Sequence, residues 1–376
     1  MTIFWVLLAF TCLLYPIIKF VINRQKEVPE FNAIENKEMK VYFVLVSLAM
    51  ILMIGLRGLF VGIDTMNYFM SYARLQNIGI LQVLRAKDVV EKGYMIFQIL
   101  GHRLHLGFAG YNLLYATVNI SIISYIIYKK SRMPWLSYFI YICFEFFILD
   151  FTMMRQTLAM SIVALAIILD KNETFWDFLK FAVCVFIANS FHQSAVVTLP
   201  LWFLKRIPLN NIAVTATIFA IALGYLMRAQ ITDFIGGLAG DISEKYAGYG
   251  EIQEGTAGMR LYLMVAVTIA LGMVLSRYKN IKGNALPFYS LSMMLFIFPA
   301  VQGGGVFMRV YFYYYLFIIL YVPNLIAALD PKKDTHIKIL IVLLYIGVGI
   351  YFFHRGLGPE SLIGEEYKFF WQPLYD

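Results

Sequence analysis

Gly55-Leu56-Arg57-Gly58-Leu59-Phe60-Val61-Gly62-Ile63-Asp64-Thr65-Met66-Asn67-Tyr68 follows directly on an apolar run, Lys40–Leu56, that is long enough to cross a bilayer. It then presents an arginine, glycines, an aspartate, an asparagine and a tyrosine in close succession. A loop that only joined two membrane helices would not need that mixture. The stretch reads as the start of a polar site on one membrane face, and the rest of the chain decides which face and what the site binds.

The 376 residues are 61% hydrophobic and only 14% charged. A soluble domain is about half apolar and about a quarter charged. The chain therefore reads as an all-α, polytopic helical membrane protein, a single integral domain over residues 1–376. A formal charge of +8 on that background reports positive loops and lipid headgroups, not nucleic acid. Cys12, Cys143 and Cys184 lie in apolar runs without a CxxC pair, so neither a disulfide framework nor a thiolate metal site is indicated. The first apolar segment lacks a basic leader and a small-residue cleavage site, so it reads as a membrane helix.

The hydropathy pattern predicts about twelve transmembrane helices: Thr2–Ile22, Lys40–Leu56, Phe108–Tyr128, Pro134–Asp150, Thr152–Leu169, Phe175–Phe191, Gln193–Leu204, Ile212–Met227, Met259–Ser276, Ala285–Val301, Val310–Leu329 and Ile337–Phe353. Gln193–Leu204 is short for a span and ends at Leu199-Pro200, which suits a kinked or re-entrant segment. Basic residues mark alternate loops: Lys129-Lys130-Ser131-Arg132, Asp170-Lys171, Lys205-Arg206, Arg277 to Lys282 and Pro331-Lys332-Lys333. By the positive-inside bias these loops are cytoplasmic, together with 23–39. Both termini are then outside.

The hardest polar residues to explain as loop solvation fall on the other, extracytoplasmic face: Arg57, Asp64, Glu91, Arg155, His192, the 228–258 loop, Gly303-Gly304-Gly305 and Arg309. Residues 59–107 are long for a linker and are expected to carry short interfacial or re-entrant helices as a functional loop. Residues 228–258 read as a second, variable loop. Glu145 lies within the fourth span and Asp150 near its outer end; an intramembrane carboxylate is a functional candidate, and could equally be protonated or paired with Arg155. Tyr311-Phe312-Tyr313-Tyr314-Tyr315 reads as packing and an interfacial belt, with a sugar-stacking platform as the alternative.

Several chemistries are missing from the sequence. No phosphate-cradling G-x-x-x-x-G-K and no pair of aspartates two apart occurs, which argues against use of a cytoplasmic nucleotide or nucleotide sugar. No H-E-x-x-H is present; His102 and His105 have helical metal-pair spacing but no third ligand, so no metal and no cofactor is expected. What remains is an outward site rich in arginine, whose planar fork suits phosphate oxygens. Arg57, Arg155 and Arg309 are the candidate ligands of a lipid-linked phosphate or pyrophosphate; the competing reading is that each reaches to headgroups. His192 is the leading acid–base candidate, with Asp64 and Glu91 as competitors that could equally neutralise an arginine.

The same residues carry a resemblance. Leu56-Arg57 with Val61-Gly62-Ile63-Asp64-Thr65-x-x-Tyr68, then Glu91-x-Gly93-Tyr94, Arg155-Gln156-x-Leu158-Ala159, and Ile187-Ala188-x-x-Phe191-His192-x-Ser194-Ala195 through Leu199-Pro200 resemble the EpsG family of Wzy-like exopolysaccharide and O-antigen polymerases. Arg309 with the tyrosine run and the Tyr367–Phe370 tail are weaker matches, and the likeness spans approximately residues 40 to 330. The resemblance implies a GT-C-like helical glycosyltransferase. Its substrate would be repeat units on undecaprenyl pyrophosphate, and the growing glycan would pass to a hydroxyl of the incoming unit. It also implies Tyr68, Tyr94 and Gln156 as sugar contacts, membrane lipids as surroundings, and a chain-length regulator and a flippase as partners. Two other readings remain open at this point: a lipid-linked oligosaccharide flippase, which would use cationic residues reachable from both faces, and a glycan ligase. The material that accumulates in cells lacking the protein separates the three.

Overall fold

The computed structural model describes residues 1–25, 37–87, 91–170, 174–233, 258–275, 284–301, 309–330, 332–358, 361–364 and 366–373. Among them the secondary structure is helical. In chain order the elements are α1 (Thr2–Gln25), α2 (Lys37–Gly55), α3 (Thr65–Arg74), α4 (Ile80–Arg85), α5 (Lys92–Arg103), α6 (Phe108–Lys130), α7 (Pro134–Cys143), α8 (Phe146–Thr152), α9 (Met154–Leu169) and α10 (Phe175–Phe191). A 3-10 turn, Gln193–Thr198, leads to α11 (Leu201–Leu204). Then come α12 (Asn211–Leu226), α13 (Met259–Val274), α14 (Ala285–Val301), α15 (Arg309–Tyr315), α16 (Ile318–Ala327) and α17 (Thr335–Gly356).

Among the described residues, four helical segments are long and apolar enough to cross a bilayer: Thr2–Phe20, Phe108–Lys130, Arg309–Ala327 and Thr335–Gly356. The pair α7 and α8, bent by 49°, would make a fifth. Shorter apolar helices fill the rest, including Met39–Gly55, Met154–Leu169 and Asn211–Leu226. This is a polytopic, all-helical membrane protein, with fewer full-length spans than the twelve expected. The reason is visible in individual runs. Pro134–Asp150 breaks at Phe144-Glu145, where Glu145 takes a left-handed φ of 75°. Gln193–Leu204 divides into the 3-10 turn and α11 across Leu199-Pro200.

The centre of the molecule is α7–α8. From Leu136 to Thr152 every residue is buried except Glu145, as expected of a helix that is apolar all round. The tyrosine run of α15 is buried as well: Tyr311 and Tyr313 are 2% exposed, and Tyr314 and Tyr315 are fully enclosed. It is core packing, and its rings offer no open face for a sugar. Asp150 is also fully buried. Its partner is not Arg155: its carboxylate accepts from Tyr141 Oη at 2.7 Å, Asn119 Nδ2 at 2.7 Å and Tyr115 Oη at 3.3 Å. That network joins α6 to α7–α8 and so holds the broken helix in place.

Residues 59–107 carry the expected structure as three short helices, α3, α4 and α5. Their anchor lies elsewhere in the chain. The 362–370 tail crosses the Gly55–Tyr68 stretch, with antiparallel bridges Arg57 to Phe369 and Val61 to Gly364. Gly58 N–H donates to Lys368 O at 2.7 Å, Gly62 N–H to Ile363 O at 2.6 Å, and Phe370 N–H to Leu56 O at 3.0 Å. Tyr367 Oη closes the strap on Met53 O at 2.8 Å. Gly303-Gly304-Gly305 and most of the 228–258 loop lie outside the described residues.

Gly62 is where this arrangement is least forgiving. Its φ is +92°, and a Cβ there would stand 2.3 Å from the carbonyl oxygen of Phe151. Both strain and overlap fall on backbone, which cannot swing away. Gly62→Ala should therefore lower stability by at least about 2 kcal/mol. Gly107→Ala, where a Cβ meets nothing within 4 Å, should stay within about 0.5 kcal/mol. Thermal unfolding of the two purified variants in one detergent checks this, and equal melting would contradict it.

Candidate active site

Three motifs that are far apart in sequence meet at one carboxylate. Glu91 is the residue before α5 and has a left-handed backbone, φ 60° and ψ 42°. That geometry is uncommon for a residue with a Cβ and marks a position held by its surroundings. Its Oε1 lies 2.7 Å from His192 Nδ1 and accepts from the Gln193 N–H at 3.4 Å. Its Oε2 is paired with Arg155 Nη1. The Glu91 side chain is 8% exposed and that of His192 9%, whereas that of Arg155 is 41% exposed. The carboxylate is thus the base of the site and the guanidinium opens outward.

Local sequence explains how the segments approach so closely. Gly93 lies against the end of α10, where a Cβ would come within 2.0 Å of Ser190 Oγ. Only a glycine lets the α5 terminus seat there. His192 ends α10 in an extended conformation and leads into the 3-10 turn. Arg155 is in the first turn of α9, directly after the α8 break.

The proton arrangement follows from the chemistry of the partners. An ionised carboxylate only accepts hydrogen bonds, so His192 Nδ1 must donate to Glu91. In the neutral ring Nε2 is then the nitrogen free to take a proton. Burial alone would raise the Glu91 carboxyl above its ordinary 4.5, but the hydrogen bond from His192, the charge of Arg155 and the Gln193 N–H outweigh it and hold it below.

Tyr68 and Tyr94 flank the guanidinium, each with its ring centroid 5.9 Å from Arg155 Cζ. Both are buried, at 6% and 3% exposed, and the Tyr68 hydroxyl donates to Thr152 O at 3.0 Å. Expected as sugar contacts, they present no open ring face; they position Arg155. Gln156 is likewise buried, and its Nε2 donates to Arg309 O at 2.7 Å. It positions the start of α15. Burial pushes the Tyr68 hydroxyl up, against the pull of Arg155 and of Arg309, so both cations are close enough to act on it. The buried Nε of Arg309, Oε1 of Gln156 and Oη of Tyr94 have no hydrogen-bond partner. Three orphaned polar atoms on residues of this cluster mark a place where a polar ligand would be welcome.

Arg57 is the main correction among the candidates. It is 2% exposed, and its guanidinium is spent on protein atoms: Nη1 to Ile54 O at 2.9 Å, Nε to Thr65 Oγ1 at 3.3 Å and Nη2 to Met154 Sδ at 3.1 Å. Burial pushes its pKa down. It has no face left for a phosphate. Gly58 and Gly62 serve the same end, admitting the tail and the Phe151 backbone and not a ligand. Asp64, half-buried at the start of α3, accepts from Asn67 Nδ2 at 3.3 Å, and its charge adds to the rise of the Tyr68 hydroxyl. His102 stacks on Tyr72 at 3.8 Å and bonds its carbonyl through Nε2 at 2.8 Å, so its ring is occupied. Sequence reasoning missed the 362–370 tail as a structural strap and Met154 as an arginine partner; neither leaves a local signal, since each partner is distant in the chain.

The model of the EpsG family, a Wzy-like polysaccharide polymerase family, matches residues 40–362, most of the chain. No curated protein and no solved structure matches.

The depressed Glu91 carboxyl sets the sign of an acid response. Its contribution to stability is complete above the ordinary value and is lost as pH falls through the lower folded-state value. Between about pH 6 and about pH 3 the melting temperature of Glu91→Gln should therefore fall less than that of the parent. An acid limb as steep as the parent's would show that the Glu91 charge contributes nothing.

Proposed function

The chain belongs to the EpsG family, and from that premise we propose that it polymerises lipid-linked oligosaccharide repeat units at the Glu91–His192–Arg155 site. The observation that carries the proposal is the single buried carboxylate that orders an imidazole and an open guanidinium side by side. The substrate in this reading is a repeat unit on undecaprenyl pyrophosphate, and the product is a lengthened glycan of the capsule, exopolysaccharide or O-antigen kind.

The acceptor hydroxyl oxygen bonds to the anomeric carbon of the growing glycan. The bond from that carbon to the pyrophosphate oxygen breaks, and its electron pair leaves with the pyrophosphate. Arg155 and Arg309 stabilise the charge that builds on the leaving oxygens. His192 Nε2 takes the hydroxyl proton, and Glu91 fixes the ring and steadies the imidazolium. Energy comes from the glycosyl–pyrophosphate bond, which fits the absence of nucleotide motifs. Arg57 in this scheme is a positioning residue that holds Thr65, and hence α3, under Arg155. A GT-C-like architecture belongs to the same reading.

The extracytoplasmic placement of the site is supported by the ends of the helices. α9 starts at Arg155 and ends at Asp170, whose carboxylate lies 3.7 Å from Lys205. α10 starts at the Asp177–Lys180 pair and ends at the site. Asn324 binds Lys130 O at 3.0 Å and Arg132 N–H at 2.8 Å. The basic loops thus stand at the far ends of the helices that carry the site, as the positive-inside bias requires of an outward site.

A pyrophosphate leaves readily, so charge stabilisation should outweigh base assistance. Arg155→Ala should reduce polymer formation by about 10²–10³-fold. Arg155→Lys should recover only part, because an ammonium lacks the fork. His192→Ala should cost less, about 10–10²-fold. Polymer length on gels at matched protein levels reads all three, and long polymer from Arg155→Ala would sink the assignment.

A further inference from the structure

α3 has two unlike faces. Thr65, Tyr68 and Tyr72 are buried against the bundle. On the adjoining flank, Asp64, Asn67, Ser71 and Arg74 follow one another at helical spacing and form a polar stripe. The stripe is not a convex solvated surface. With α5 it borders a depression of about 360 Å³ lined by Asn67, Met70, Ser71, Arg74, Leu75 and Met95, within the usual range for ligand sites. Ser71 Oγ donates to Gln98 Oε1 at 2.9 Å across the gap, and the Gln98 side chain is fully buried. The two helices are therefore fixed relative to one another at that point.

The position of the depression is as informative as its lining. Met95 follows Glu91 by four residues, one helical turn, and so lies roughly 6 Å further along α5. Tyr68, which supports Arg155, belongs to the same turn of α3 as Asn67 and Ser71. The depression thus lies about one helical turn from Glu91 along α5 and on the same turn of α3 as Tyr68. Its chemistry alternates amide, hydroxyl and guanidinium groups with thioether and aliphatic walls. That is the pattern a pyranose needs, with hydrogen-bonding edges and apolar C–H faces. Arg74 has no carboxylate partner among the described residues.

We propose that this depression is a saccharide subsite that holds sugars of the repeat unit next to the bond being made, with Asn67, Ser71 and Arg74 as its hydrogen-bonding side chains. It rests on the polymerase reading and deepens it. Arg74, charged and forked, turns to ring or carboxylate oxygens of the sugar, which makes this the place where one repeat unit is told from another. The groups that react do not touch it, so its contribution is to affinity for the repeat unit.

The test uses the purified full chain in lipid nanodiscs and the lipid-linked single repeat unit extracted from cells that lack the protein. Asn67→Ala and Arg74→Gln should each raise KM for that unit about 3–10-fold, as loss of one or two hydrogen bonds to a neutral or charged partner does. They should leave kcat within about twofold. Arg74→Lys should recover part of the loss. The free repeat-unit glycan should compete with the parent and compete less with Asn67→Ala. Unchanged KM in both variants, while Arg155→Ala loses polymer, would remove the subsite and leave the polymerase reading standing. A fall in kcat at unchanged KM would place these residues in the chemical step and also overturn the proposal. Competition by phosphatidylglycerol instead of glycan would make the depression a headgroup site. Normal polymer from Arg155→Ala would remove the polymerase reading and this subsite with it. Arg74 is exposed, so its variants test the point even if Asn67→Ala melts early.

Discussion

One buried carboxylate decides how the candidate site of this protein is arranged. Glu91 binds His192 with one oxygen and Arg155 with the other. It thereby fixes the start of α5, the start of α9 and the end of α10 with respect to one another. A buried charge is stable only when its hydrogen bonds are satisfied, so none of the three segments can drift without leaving that charge exposed to an apolar interior. The left-handed backbone at Glu91 is strain that these partners hold in place. Most of what is special in the neighbourhood follows: a glycine at 93 for close approach, tyrosines on both sides of Arg155, and an imidazole whose proton-bearing nitrogen is determined by its neighbour.

The Gly55–Tyr68 stretch plays a different part from the one its composition suggests. Its arginine is sealed in, its glycines admit the 362–370 tail and the Phe151 backbone, and its threonine bridges Arg57 and the carbonyls of Val61 and Phe151. A guanidinium has five N–H donors, and here three of them tie Ile54, Thr65 and Met154 together. The stretch is a keystone under the site. At its far end Asn67 borders the depression on α3. An arginine and an asparagine ten residues apart have thus been divided between structure and a candidate ligand surface.

The legible part of the molecule was the part written in local pattern. Apolar runs announced a polytopic helical membrane protein, and the polar density of 59–107 announced short helices there. The Glu91, Arg155 and His192 motifs stood out as polar islands beside apolar helices, and they do meet. Less legible was anything decided by burial. Tyr68, Tyr94, Gln156 and Arg57 have the side chains of ligand-binding residues, yet each is enclosed; Tyr68, Arg57 and the Gln156 amide nitrogen donate to protein partners, some about a hundred residues away, such as Met154 for Arg57. The break at Glu145 was also hidden, because an apolar run of the right length reads as a straight span whether or not one backbone angle changes sign.

This division of roles bears on how catalysis is arranged. A site that stabilises a departing pyrophosphate needs positive charge that is fixed but not neutralised. Arg155 is paired with Glu91, so part of its field is already answered; Glu91 in turn is shared with His192. In the proposed reaction, a proton taken by His192 would give the carboxylate a second cation to answer, leaving more of the Arg155 charge for the leaving group. A shared carboxylate would thus couple base and electrostatic stabiliser with no moving part. That coupling requires Glu91 to sit where it does, out of water, since the high dielectric of solvent would weaken the field of one added proton at the arginine.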